Sequence, residues 1–248
     1  MKRSAGPPRR RPSRAGGDPR PRATGPAVWR QVDEFVAARM LPEDAALRDA
    51  LRDSAAAGLP SIQITPWQGQ LLHILARAIG ARRVLEIGTL GGYSGIWLAR
   101  AVGASGRVVT LERDPRHAEV ARRNFARAGV SDRVEVRVGD ARETLPSLRK
   151  EHPAPFDLVF LDADRPHYDE YLGWAVELAH PGSLIVVDNV IKEGAVLDPA
   201  PDDPGIAGLR RFTDQLGTDP RLVAIEVQTV GAKGHDGFAL ALVTGVAP

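Results

Sequence analysis

Phe156-Asp-Leu-Val-Phe-Leu-Asp-Ala-Asp-Arg165 decides how the rest of the chain is read. It begins as a short apolar run with two strong β-formers, Val159 and Phe160, which reads as a buried strand. It then stops abruptly in Asp162, Asp164 and Arg165. In an open parallel sheet, ligands bind just beyond the carboxyl ends of the strands. Charges placed there, directly after an apolar strand, point to a site rather than to packing.

Working outward, apolar runs alternate with helical periodicity. Strands are expected at 83–88, 107–111, 134–138, 157–162 and 183–187, with helices at 93–102, 117–128, 141–149, 167–178 and 206–216 between and after them. Two further strands, 222–228 and 237–243, close the chain. Such alternation predicts an α/β fold, a doubly wound, Rossmann-like sheet covered on both faces. Before the first strand, 28–40 and 43–57 read as helices. Thr65 reads as the cap of a third helix that starts at Pro66 and runs to about Ile79, with Leu71, Leu72, Leu75 and Ile79 as its apolar stripe. Residues 28–80 are therefore read as a helical cap on a core spanning 81–248, the two forming one domain. No internal repeat is found.

The chain has 248 residues, with 43% hydrophobic and 26% charged residues, ordinary values for a globular protein. It has no cysteine, which excludes disulfides, thiolate metal sites and cysteine nucleophiles. No apolar run reaches the roughly 18–20 residues that span a membrane. The basic start has no apolar stretch of the secretory type, so a cytoplasmic location is expected. Residues 1–27 hold eight Lys/Arg and one acid, a charge of +7, leaving −5 on the remainder of a chain whose total is +2. Rich in Pro, Gly and Arg, the tail is read as a disordered, solvated extension. The acidic remainder does not suggest a nucleic-acid binder.

Every one of the first five strands carries a carboxylate at or near its end: Glu86, Glu112, Asp140, Asp162 and Asp188. A single strand-end Asp is usually a cap or turn residue; five on one sheet edge favour a ligand site. The first strand leads into Glu86-Ile-Gly88-Thr-Leu-Gly91-Gly92-Tyr-Ser94, which is not the dinucleotide fingerprint, because Leu90 stands where the second glycine is needed. A carboxylate at Glu86 also disfavours a nearby pyrophosphate and suits a cofactor with a cationic end. S-adenosylmethionine has such an end. Glu112 is spaced to accept hydrogen bonds from ribose hydroxyls, with Asp140 and Ala141 beside the adenine. Asp162 with the Asp188-Asn189 pair forms a hard, all-oxygen donor set that suits Mg²⁺, with Ca²⁺ or Mn²⁺ as alternatives. The six scattered His give no zinc spacing.

Residues 84–94, Glu112, Gly139-Asp-Ala141, Asp162-Ala-Asp164 and Asp188-Asn189 together resemble the class I S-adenosylmethionine-dependent methyltransferases. More narrowly, they resemble the cation-dependent O-methyltransferases of the caffeoyl-CoA and catechol type, over about residues 64–243. Gly69-Gln-Leu-Leu72 and Asp236-Gly-Phe-Ala239 are similar to bacterial members. The resemblance implies a seven-stranded sheet, mostly parallel with the last strand antiparallel. It implies Asp162, Asp188 and Asn189 as metal ligands, and Ile64, Glu86, Gly88, Thr89, Ser94, Glu112, Asp140, Ala141 and Asp164 as cofactor contacts. It also implies a hydroxylated aromatic acceptor and a homodimer. Asp162 and Arg165 would be the catalytic residues. One position departs from the family: a Lys three residues after the first metal Asp is its usual proposed base, and here that residue is Arg165. A guanidinium stays protonated, so Arg165 would stabilise a phenolate rather than accept its proton. Lys192 and His167 are candidates for the acceptor of that proton. Two other readings are weighed: a methyltransferase acting on RNA or protein, guided by the basic tail, and a cofactor-binding module without catalysis. The Asn/Asp-Pro-Pro-Tyr motif associated with amino-group methylation is absent from the sequence.

Overall fold

The computed structural model describes residues 24–41, 44–151, 154–198, 200 and 202–245. Most of the basic tail, up to residue 23, lies outside the described residues, as does Pro42. Among the described residues, α1 (Pro26–Met40), α2 (Ala45–Ala56) and α3 (Pro66–Ala78) precede β1 (Arg83–Ile87). There follow α4 (Tyr93–Ala101), β2 (Arg107–Glu112), α5 (Pro115–Arg127), β3 (Val134–Val138), α6 (Ala141–Glu151) and β4 (Phe156–Leu161). Next come α7 (Tyr168–Leu178), β5 (Ala179–Asp188), α8 (Pro204–Thr218), β6 (Leu222–Gly231) and β7 (Gly234–Val243).

The seven strands form one sheet in the order β3-β2-β1-β4-β5-β7-β6. The β1–β2, β2–β3, β1–β4 and β4–β5 pairs are parallel, and β7 runs antiparallel to both β5 and β6. The expected topology is therefore found. The chain reverses its winding direction between β1 and β4, the switch point where a doubly wound sheet opens a crevice.

Side-chain alternation divides the core into two layers. On one face Leu85, Ile87, Val159, Leu161, Ile185 and Val187 pack with α7 and α8. On the other, Val84, Leu158, Phe160 and Val186 pack with α3, α4 and Phe125 of α5. Each such buried side chain contributes roughly 1.5–3 kcal/mol of transfer free energy. The apolar stripe of α3 is corrected: Gly69, Leu72 and Ala76 are buried, whereas Ile79 is exposed. Gly69 lets the Trp97 indole approach the helix backbone closely, since a Cβ there would sit 2.8 Å from Trp97 Cε2. β5 begins at Ala179, four residues before the expected start, because a bulge near Phe156 lets Ala179 pair ahead of the Pro181-Gly182 step.

Candidate active site

Three glycine-turn features shape the crevice at the end of β1. Gly88 has φ +102°, and a Cβ there would fall on the Asp162 carbonyl oxygen, 2.8 Å from its carbon. Only glycine lets the end of β1 pass this close to the end of β4. Leu90 adopts φ +48°, an uncommon backbone for an L-residue. Its N–H donates to Glu112 Oε2 at 2.7 Å, and Asp114 N–H donates to Glu112 Oε1 at 2.9 Å. Glu112 thus holds the glycine turn to the end of β2 and keeps lone pairs for a ligand.

Over these strand ends opens a cavity of about 1100 Å³, large enough for a nucleoside-sized cofactor and a second small molecule together. Ile64, Gly88, Thr89, Ser94, Glu112, Asp140, Ala141, Asp164, Asp162, Arg165, Asp188 and Asn189 all line it. Of the cofactor, metal and catalytic residues implied by the sequence, Glu86 alone does not; His167, a candidate proton acceptor, does not line it either. Glu86 lies fully buried below the turn, with Oε2 accepting from Thr110 Oγ1 at 2.6 Å and Oε1 without a hydrogen-bond partner. Burial raises the Glu86 carboxyl to about 7, against the lowering effect of hydrogen bonds from Ser94 and Thr110. The reason for the difference is depth along the strand: Glu86 is level with Thr110, Phe160 and Val186 inside the sheet, whereas Glu112, Asp162 and Asp188 follow two residues later on the same face, at the edge where the cavity opens. Asp140 does line the cavity but also caps α6, with its Oδ1 accepting the Arg142 N–H at 2.9 Å. Paired with the Arg142 guanidinium, its carboxyl is held at about 2.

β4 and β5 are hydrogen-bonded neighbours with Leu161 opposite Val187, so Asp162 and Asp188 stand side by side one residue further on. Burial pushes both carboxyls above the usual range, with the Glu86 charge adding to the effect on Asp162 and the Asp162 charge adding to that on Asp188. Among the described residues none donates a hydrogen bond to the Asp162 carboxylate, while Asp188 Oδ1 accepts from Gln68 Nε2 at 2.7 Å. Gln68 also completes the Thr65 capping box of α3, so a helix cap reaches across to the site. Asn189 is left-handed, with φ +61°. The loop after it is pinned by Asp236, whose Oδ1 accepts N–H bonds from Ile191 and Lys192, both at 3.0 Å, and from Gly237 at 2.9 Å.

Sequence reasoning missed Gln68, Asp236 as a pin, and Lys233, all of which border this cavity. Lys233 had a readable signal. β7 is antiparallel and pairs Phe238 with Asp188, so the tip of the β6–β7 hairpin must overhang the carboxyl end of β5.

The O-methyltransferase family model matches residues 37–243. The chain belongs to the O-methyltransferase family. The catechol O-methyltransferase of Mycobacterium tuberculosis is 55% identical over 212 residues, covering 86% of this chain and 94% of that protein. The catechol O-methyltransferase of Niastella koreensis is 46% identical over 216 residues, covering 87% and 98%. Among solved structures, the O-methyltransferase TomG from Streptomyces achromogenes, in complex with SAM, aligns with a TM-score of 0.86 and 47% identity, over 90% of this chain and all of that one. This O-methyltransferase is SAM-dependent, and its glycine turn, Glu112 and the cavity above them suit that methyl donor. Among its described residues no helix is long and apolar enough to cross a membrane.

Proposed function

We propose that this methyltransferase transfers the methyl group of SAM to one hydroxyl of a small aromatic acceptor with neighbouring hydroxyls, a catechol, and that a divalent cation assists. The observation that carries the reading is the pair of neighbouring strand ends, where Asp162 and Asp188-Asn189 share one cavity with the cofactor turn. Two carboxyls that repel each other, one of them accepting no hydrogen bond from the described residues, form a donor set that a hard cation satisfies. Asp162, Asp188 and Asn189 would hold Mg²⁺, or alternatively Ca²⁺ or Mn²⁺. Once bound, the ion supplies positive charge that favours ionisation of an acceptor hydroxyl.

The chain's own residues then orient and desolvate the reactants. Glu112, fixed by the Leu90 and Asp114 amides, accepts hydrogen bonds from the ribose. Asp164, which accepts from Tyr171 Oη at 2.7 Å, bounds the same end. Arg165 lines the acceptor end and offers a permanent positive charge to a developing phenolate. Two relatives that carry the name catechol O-methyltransferase support the acceptor class.

The expected homodimer is proposed as well. α1 buries none of its residues, and Val223 and Ile225 of the adjoining edge strand β6 are exposed. A second copy would cover these exposed apolar side chains, and light scattering on the full chain gives twice the 26.7 kDa chain mass if it does.

A mass-shift screen tests the acceptor: catechols gain one methyl group with SAM, whereas matched monophenols do not. Equal methylation of monophenols would refute the vicinal-hydroxyl requirement. Methylation of RNA or protein that is lost on deleting residues 1–27, with catechols inert, would favour the macromolecular reading.

A further inference from the structure

The arrangement of the acceptor end leaves a chemical gap. Methyl transfer to a hydroxyl releases a proton, and Arg165 stands where the family's usual base would be. Of the two candidates read from sequence, neither is free. Lys192 lines the cavity, but its Nζ is turned to the Asp236 carboxylate, 3.8 Å from Oδ2. His167 lies outside the cavity lining and turns its ring to Asp164 and Glu170, at 3.6 and 3.9 Å. His117 borders the cavity at the cofactor end, 3.5 Å from Glu112.

We propose that Lys233, at the tip of the β6–β7 hairpin, is a catalytic residue that receives the proton of the acceptor hydroxyl. This rests on the catechol reading above. The hairpin tip is held in place at two points. The Ala232 N–H donates to Asp33 Oδ2 at 2.7 Å, and Lys233 Nζ donates to the Gln63 carbonyl on the segment before α3. These bonds hold Lys233 in the cavity wall with Asp162, Asp188 and Asn189. The charged groups facing the tip are Asp162 from the end of β4, Asp188 from β5, Asp33 from α1 and Glu193 from the loop after β5. Arg165, Lys192, Asp236, Asp164 and Asp203 also line the cavity.

Burial pulls the Lys233 ammonium below the ordinary lysine value, while Asp188 and Asp162 pull the other way. In the step itself the acceptor O–H bond breaks and its electron pair forms the O–CH₃ bond. The S–CH₃ bond of SAM breaks and leaves its electrons on sulfur, turning the sulfonium into a neutral thioether. The proton moves to Lys233 Nζ. Lys233 is exposed on its outer side, so the proton then passes to water.

The test uses the full chain, with Lys233→Met, Lys233→Arg and Lys233→Ala. Retained melting temperature and retained S-adenosylhomocysteine binding establish folding. Lys233→Met is expected to lower kcat about 100-fold or more with the KM for SAM unchanged, and to remove one ionisation from the pH profile of kcat. Lys233→Arg does not restore the rate, because it supplies charge but no base, whereas added methylamine partly rescues Lys233→Ala. A readout without turnover uses 4-nitrocatechol bound with S-adenosylhomocysteine and Mg²⁺: its colour change on ionisation moves to higher pH in Lys233→Met. Wild-type kcat in Lys233→Arg overturns the proposal and makes the residue a fixed charge. Unchanged kcat and pH profile in Lys233→Met also overturn it. If the wild type neither binds nor methylates catechols, the acceptor reading falls and takes this assignment with it. Turnover by the wild type with no effect of Lys233→Met refutes the proton assignment alone.

Discussion

Replacing Glu86 with Gln should change how the stability of this protein depends on pH. Glu86 is completely buried beneath the glycine turn, and its carboxyl titrates at about 7 rather than 4.5. Between those values the folded chain holds a proton that the unfolded chain has released. Its contribution to stability is therefore fully present below pH 4.5 and is lost as pH rises toward 7. At about 1.4 kcal/mol per pH unit, that amounts to roughly 3 kcal/mol. Gln is nearly isosteric and can still accept from Thr110, so the variant keeps the packing and loses the titration. Denaturant unfolding of both proteins at pH 4.5, 6 and 8 gives the difference directly, with the other carboxyls largely cancelling. Relative to wild type, Glu86→Gln should gain roughly 3 kcal/mol between pH 4.5 and 8, on the order of 10 °C in melting temperature. A constant difference across that range would show that burial does not hold the proton on Glu86, and the account of this residue would be wrong.

Gly88→Ala should fold poorly or lose SAM binding. A left-handed backbone costs about 1–2 kcal/mol for an L-residue, and overlap with the Asp162 carbonyl adds about 1–3 kcal/mol; calorimetry with S-adenosylhomocysteine reads the loss. Asp236→Ala removes the acceptor of three loop amides, at about 1 kcal/mol or more each. It should raise the KM for the catechol while leaving SAM affinity in place, with Asp236→Asn much closer to wild type. Arg165→Ala should lower kcat by a factor on the order of 10–100 without abolishing transfer; an unchanged rate would remove Arg165 from the chemistry.

Much of the fold was legible because its strands are continuous apolar runs closed by acids, and Val159-Phe160-Leu161 followed by Asp162 is the plainest of them. Element ends were less so. The Pro181-Gly182 step reads as a turn, yet the chain stays extended around a bulge, so the start of β5 lay four residues earlier than expected. The cavity floor was legible as a set of strand-end carboxylates, but Glu86 lies two residues deeper in the sheet than Glu112, Asp162 and Asp188, and the alignment of strand ends that shows this is set by the pairing register, not by local spacing. Lys233, Gln68 and Asp236 were hidden for another reason. Each reaches the site through tertiary placement, by an antiparallel hairpin, a helix cap and a strand pairing that no local window contains. Lys233 could have been anticipated only by running the register of β7 past Asp188 to the hairpin tip.

The central claim is that Asp162, Asp188 and Asn189 hold a cation needed for O-methylation. Its most direct test is catechol methylation by the wild-type chain after EDTA treatment, followed by stepwise return of Mg²⁺. Activity should vanish in EDTA and return with Mg²⁺, while S-adenosylhomocysteine still binds the metal-free protein. Full catechol turnover in excess EDTA would contradict the metal assignment.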